Sequence, residues 1–214
     1  IKTPSTPFRH AREFVRVLQA AASPLQLVPT LFRLGPGRTL GLLRQLLASL
    51  KAPVPTVAPL RYWSALPTQW GAYAARTSLT PVDTADLAGH GAGEHALRGD
   101  LGERLRAGPL RYTLSAQLYV DPRRTPIEDA SVDWAESDSP YLPIADLVIP
   151  QQDVASELGR RIDAYVEKLS FDPWHAPVEF RPLGNMMRAR NHAYRLSTIA
   201  RGASPEPDGS ETWG

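Results

Sequence analysis

The chain has 214 residues, 43% of them apolar, with 24 Lys and Arg against 22 Asp and Glu. That supports one packed domain, and its net charge of +2 is too small to argue for a nucleic-acid partner. It contains no cysteine, which excludes disulfides, thiolate metal ligands and a cysteine nucleophile.

The first fifty residues read as helices broken by proline and glycine. Phe14, Val17, Leu18 and Ala21 fall at helical spacing, and Ser23-Pro24 stops that element. Residues 25–34 form a short apolar piece, and Gly35-Pro36-Gly37 reads as a turn. Leu40, Leu43, Leu47 and Leu50 then make one stripe, widened by Leu42 and Leu46, with Arg44, Gln45 and Lys51 on the other side. Such a stripe packs into a core, or it docks on lipid or a partner helix. Residues 52–92 are rich in proline, threonine and glycine and predict no regular element.

A short helix is expected over 93–107, ended by Gly108-Pro109. The clearest strand follows. Leu110, Tyr112, Leu114, Ala116, Leu118 and Val120 alternate with polar neighbours, a length that suits a tilted strand of an antiparallel barrel. A second strand is expected over 142–149, closed by Pro150, after an acidic and polar link. Helical pattern resumes at 153–168, where Val154, Leu158, Ile162, Tyr165 and Leu169 share a face, and a final helix is expected over 187–201. Residues 204–214 predict a loose tail. Helices, then strands, then helices argue for an α+β fold.

No run of about 18 apolar residues is present. The start also lacks the basic, apolar and small-residue order of a signal peptide, so the expected location is cytoplasmic. The chain begins at Ile1, so a processed or partial polypeptide is expected. No Gly-x-Gly-x-x-Gly, P-loop or His-x-x-x-His motif occurs. Asp129, Asp133, Glu136 and Asp138 form an acidic cluster that reads as a polar loop, with a cation site as the other reading.

Chemistry concentrates in the last third. Arg190 stands four residues before Tyr194 on the final helix, which puts a guanidinium beside a phenol. A cation there favours the tyrosinate, the form that can serve as an axial ligand to haem iron. The same spacing also fits a surface arginine packed on an aromatic ring.

Several pieces resemble one family in order. Thr3-Pro4 to Pro7-Phe8 and His10-Ala11-Arg12-Glu13-Phe14 are similar to the segment of catalases that leaves the haem-facing barrel just after the distal asparagine. Tyr62-Trp63-Ser64 with Pro67 resembles their aromatic-Trp-Ser-x-x-Pro element, and Leu169-Ser170-Phe171 with Pro173 resembles the Phe-Ser-Pro before the proximal haem helix. Phe171-Asp172-Pro173-Trp174-His175 and Arg181-Pro182-Leu183-Gly184 look most like the small catalase-related haem proteins.

The resemblance implies a catalase-like α+β domain over 1–203 that lacks its N-terminal portion, part of an antiparallel β-barrel with surrounding helices. It also implies haem b, bound through Tyr194 to the iron, with Arg190 as the cation beside it and Arg188 available to a haem propionate. The implied substrates are hydrogen peroxide or organic hydroperoxides, including lipid hydroperoxides. A second register makes Arg181 the arginine and places Asn185 at the ligand position, where no anion can form. On this resemblance the distal histidine and asparagine are expected upstream of Ile1, and His10, His90, His95, His175 and His192 do not replace them. A second chain supplying that portion, and a homo-oligomer, are the expected partners. The alternative is a haem-free structural or interaction subunit that keeps the fold.

Overall fold

The computed structural model describes residues 3–21, 29, 33–51, 54–83, 95–204, 206–207 and 210, with the backbone alone at 21, 43 and 45–51. The short apolar piece expected over 25–34 lies largely outside them, as do His90 and the side chains of Leu43, Leu46, Leu47 and Leu50. Helix α1 covers Ala11–Ala21 and α2 covers Pro36–Lys51. The turn expected at 35–37 is instead the start of α2. Gly35 sits at φ +84° and Pro36 takes the first helical position, where its missing N–H costs nothing.

A five-stranded antiparallel sheet follows: β1 (Tyr62–Trp63), β2 (Thr68–Trp70), β3 (Tyr73–Pro81), β4 (Leu110–Leu118) and β5 (Tyr141–Ile149). Its order is β1-β3-β4-β5, and β2 pairs with the other half of β3. β3 is the central strand, and it falls in the segment that predicted no regular element. Its buried positions are Ala74, Ala75, Arg76 and Ser78, too small or too polar to show as hydrophobic alternation.

Arg76 is buried, stacked over Trp134 with its guanidinium carbon 4.4 Å from the ring centre. Its Nη1 donates to the Val132 carbonyl at 3.0 Å. Opposite it on β4, Gln117 Nε2 donates to the carbonyls of Trp134 (2.7 Å) and Ser139 (2.8 Å). These contacts fold the acidic link 119–140 back over the sheet. β4 ends at Leu118, two residues before the end of the alternation, because the Val120 amide donates to Thr125 Oγ1 inside that link.

β5 is the free edge of the sheet. Leu142, Ile144, Leu147 and Val148 are 41–47% exposed, so among the described residues the sheet is an open wall and not a closed barrel. Helix α3 spans Ala96–Ala107, and α4 spans Glu157–Val166, capped by Ser156 accepting from the Gly159 amide. α5 spans Gly184–Arg201 and ends in a left-handed Gly202. Among the described residues no helix is long and apolar enough to cross a membrane.

The small core nearest α5 joins Leu66, Ala130 and Met187, with Trp174 and Met186 packed against it. α5 begins three residues earlier than expected because Glu128 caps it. The Asn185 amide donates to Glu128 Oε2 at 2.8 Å, meeting one of the free N–H groups of the first turn.

Candidate functional site

β2 delivers the site helix. The segment ahead of α5 runs along β2, with the Gln69 amide on the Arg181 carbonyl (2.8 Å) and the Gly71 amide on the Glu179 carbonyl (3.0 Å). The Leu183 amide then donates to the Pro67 carbonyl at 3.0 Å. Gly184 turns the chain into the helix at φ +84°, and a Cβ there would stand 2.7 Å from the Ile127 carbonyl oxygen. Only glycine meets both demands without strain.

On α5, Arg190 and Tyr194 meet as their spacing predicts. Arg190 Nη2 donates to the Tyr194 hydroxyl, and the guanidinium carbon lies 4.8 Å from the Tyr194 ring centre. Both residues line a cavity of about 510 Å³, together with Phe171, Pro173, His175 and Glu206.

Phe171–His175 forms the facing wall and is tied to α5 by Trp174, whose Nε1 donates to the Met187 carbonyl at 3.0 Å. Asp172 Oδ1 accepts from the Trp174 amide (2.9 Å), which fixes the turn of the motif. Glu206, from the segment expected to be a loose tail, accepts from the Asp172 amide at 2.9 Å and meets His175 Nδ1 through its carboxylate. Ser204 accepts from the Ser170 amide at 3.1 Å. The spacing of Phe171–His175 marked the motif, but nothing local marked Glu206.

The other candidates lie elsewhere. Arg188 pairs with Glu128 at 3.0 Å and does not line the cavity. Arg181 Nε donates to Gln69 Oε1 (2.8 Å), while Asn185 accepts from the Ala11 amide (2.9 Å) and donates to the Glu128 carbonyl (2.7 Å). The competing pair is thus split between sheet and helix cap. His10 Nδ1 accepts from the Glu13 amide at 3.1 Å, His95 stands just before α3, and His192 is exposed on α5. The acidic cluster is dispersed: Asp129 bonds Ser131, Glu136 meets Arg61 at 3.2 Å, and Asp138 lies 3.8 Å from Arg124. Asp133 is raised by burial, against the pull of Arg76.

No family model and no curated protein sequence matches the chain. Among solved structures it is similar to a bacterial catalase, with a TM-score of 0.66 and 17% identity, over 94% of this chain and 42% of that one. It is also similar to a fungal catalase, with a TM-score of 0.58 and 15% identity, over 69% of this chain and 32% of that one. The fold is catalase-like, as the sequence resemblance implied, and the chain spans less than half the length of these catalases.

Proposed function

We propose that this catalase-like chain forms the proximal side of a haem site in a protein that acts on hydrogen peroxide or organic hydroperoxides. One observation carries the reading: the Tyr194 hydroxyl is held by the Arg190 guanidinium at the wall of a cavity of about 510 Å³. The donor set fits ferric haem b. Tyr194 would offer its oxygen to the iron, Arg190 donates to that oxygen and would orient it, and Phe171 and Pro173 would offer apolar wall to a macrocycle. Haem b, when bound, supplies the redox-active iron at which a peroxide O–O bond is broken. Arg188 would reach a propionate only by leaving Glu128.

Arg190 orients the Tyr194 oxygen, but the described residues bring no base to the opposite side. His175 stands on the same lining as Tyr194 and is engaged by Glu206. A general base is needed to move the peroxide proton. In this reading further polypeptide, from the same protein or a second chain, supplies it and covers the exposed β5 edge.

Haem titration of the purified chain tests the proposal. Uptake with a Soret band in the wild type, lost in Tyr194→Phe, is the expected result. Equal uptake by both proteins, or none by the folded wild type, overturns it.

The open edge of β5, exposed along its length, favours a second reading, a haem-free subunit that keeps the fold and pairs with other polypeptide. Under that reading the protein stays colourless and still binds its partner through β5.

A further inference from the structure

Charge is divided along this chain. Residues 1–61 hold nine of the 24 Lys and Arg but only one of the 22 Asp and Glu, so the remainder is net acidic. The single carboxylate, Glu13, is 3% exposed and faces inward. It takes Arg38 Nε at 2.8 Å and Nη2 at 2.9 Å, and the Arg9 amide at 2.6 Å. Arg38 Nη2 also donates to the Pro7 carbonyl at 2.8 Å. This knot fastens α2 to α1 and uses up the only negative charge of the region.

Among the described residues of this region, Arg12, Arg16, Arg33 and Arg44 are exposed. On α1, Arg12, Val15, Arg16, Leu18 and Gln19 are exposed and share one broad face. Val15 is 44% exposed and Leu18 51%. On α2, Leu40 and Arg44 are exposed one helical turn apart, with Leu40 49% open to solvent, and Arg33 is exposed just ahead of the Gly35 turn. Arg12, Arg16, Arg33 and Arg44 make no ion pair among the described residues.

Guanidinium groups without carboxylates, interleaved with open aliphatic side chains, match a surface that presents phosphate above hydrocarbon. The arginines meet lipid phosphates, and Val15, Leu18 and Leu40 enter the boundary between headgroup and acyl chain. A polynucleotide would use the arginines and leave the aliphatic groups in water. We infer that the α1–α2 unit docks this protein on an anionic lipid surface. The inference stands apart from the haem reading, because none of these residues lines the Arg190–Tyr194 cavity.

Flotation of the full chain with vesicles of phosphatidylcholine, alone or mixed with phosphatidylglycerol, tests it. The protein should float with the mixed vesicles only, and added salt should release it. Arg12→Gln, Arg16→Gln and Arg44→Gln should each weaken binding about fivefold. A Val15→Ser, Leu18→Ser and Leu40→Ser triple variant, folded by circular dichroism, should bind at least tenfold more weakly. No flotation, equal flotation with neutral vesicles, or a serine variant that binds vesicles and duplex DNA as the wild type does would overturn the proposal. Haem uptake should be unchanged in all four variants, so failure here leaves the haem reading where it stood.

Discussion

Trp174 and Met187 are joined by one hydrogen bond, indole Nε1 to carbonyl oxygen at 3.0 Å, and that bond holds two walls of the cavity together. It links the Phe171–His175 segment to the helix carrying Arg190 and Tyr194, next to the Leu66–Ala130–Met187 core. Trp174→Phe keeps most of the apolar contact and removes the hydrogen bond that ties the wall to α5. Its loss should cost about 1–2 kcal/mol in urea unfolding, with haem uptake weakened as well. A variant as stable as the wild type would show that the wall is held by other contacts.

Gly184 and Gly202 both adopt positive φ, at +84° and +59°, but only Gly184 meets a neighbour there. Gly202→Ala should cost about 1 kcal/mol for the left-handed backbone alone. Gly184→Ala must also displace the Ile127 carbonyl, so its cost should be clearly the larger, above about 2 kcal/mol. Chemical denaturation of the two variants side by side checks the order.

Burial raises the Glu13 carboxyl, but the Arg38 hydrogen bond and charge and the Arg9 amide outweigh it, and the net shift is downward from 4.5. Arg38 is raised correspondingly, chiefly by its bond to Glu13. A carboxylate lowered in the folded state binds fewer protons there than in the unfolded chain. Its contribution is therefore full above about pH 4.5 and is lost as pH falls through the lower folded value. Glu13→Gln should destabilise by about 3 kcal/mol at pH 7 and flatten the acid limb of the stability curve. Stability measured from pH 7 down to pH 3 tests both effects.

Arg190 donates through one arm of its fork to Tyr194, while Nη1 lies 3.5 Å from Met187 Sδ. In the haem reading Arg190→Leu removes the cation that favours the bound phenolate. Haem affinity should fall about 10–100-fold, with Arg190→Lys between leucine and wild type. Titration by absorption reads the series directly.

Much of the frame is written in local pattern. β4, β5 and α4 follow runs whose apolar spacing matches the element formed, and Arg190–Tyr194 follows from one helical turn of separation. β3 is hidden because a central strand here buries alanine, serine and an arginine, and Arg76 is tolerated only through Trp134 and the Val132 carbonyl. α2 starts at a proline that reads equally well as a turn. The openness of the sheet depends on what lies beside β5, which no residue within β5 encodes. Within the site, the Trp174–Met187 bond, the Glu128 cap on Asn185 and the Glu206–His175 pair join positions far apart in the chain, so spacing carries no trace of them.

The central claim is that Tyr194 holds iron as a tyrosinate. Resonance Raman spectra of the haem-loaded protein, excited in the phenolate-to-iron charge-transfer region, test it most directly. Phenolate ring modes present in the wild type and absent from a haem-loaded Tyr194→His variant are the predicted result. Wild-type spectra without those modes, or identical spectra from both proteins, would contradict it.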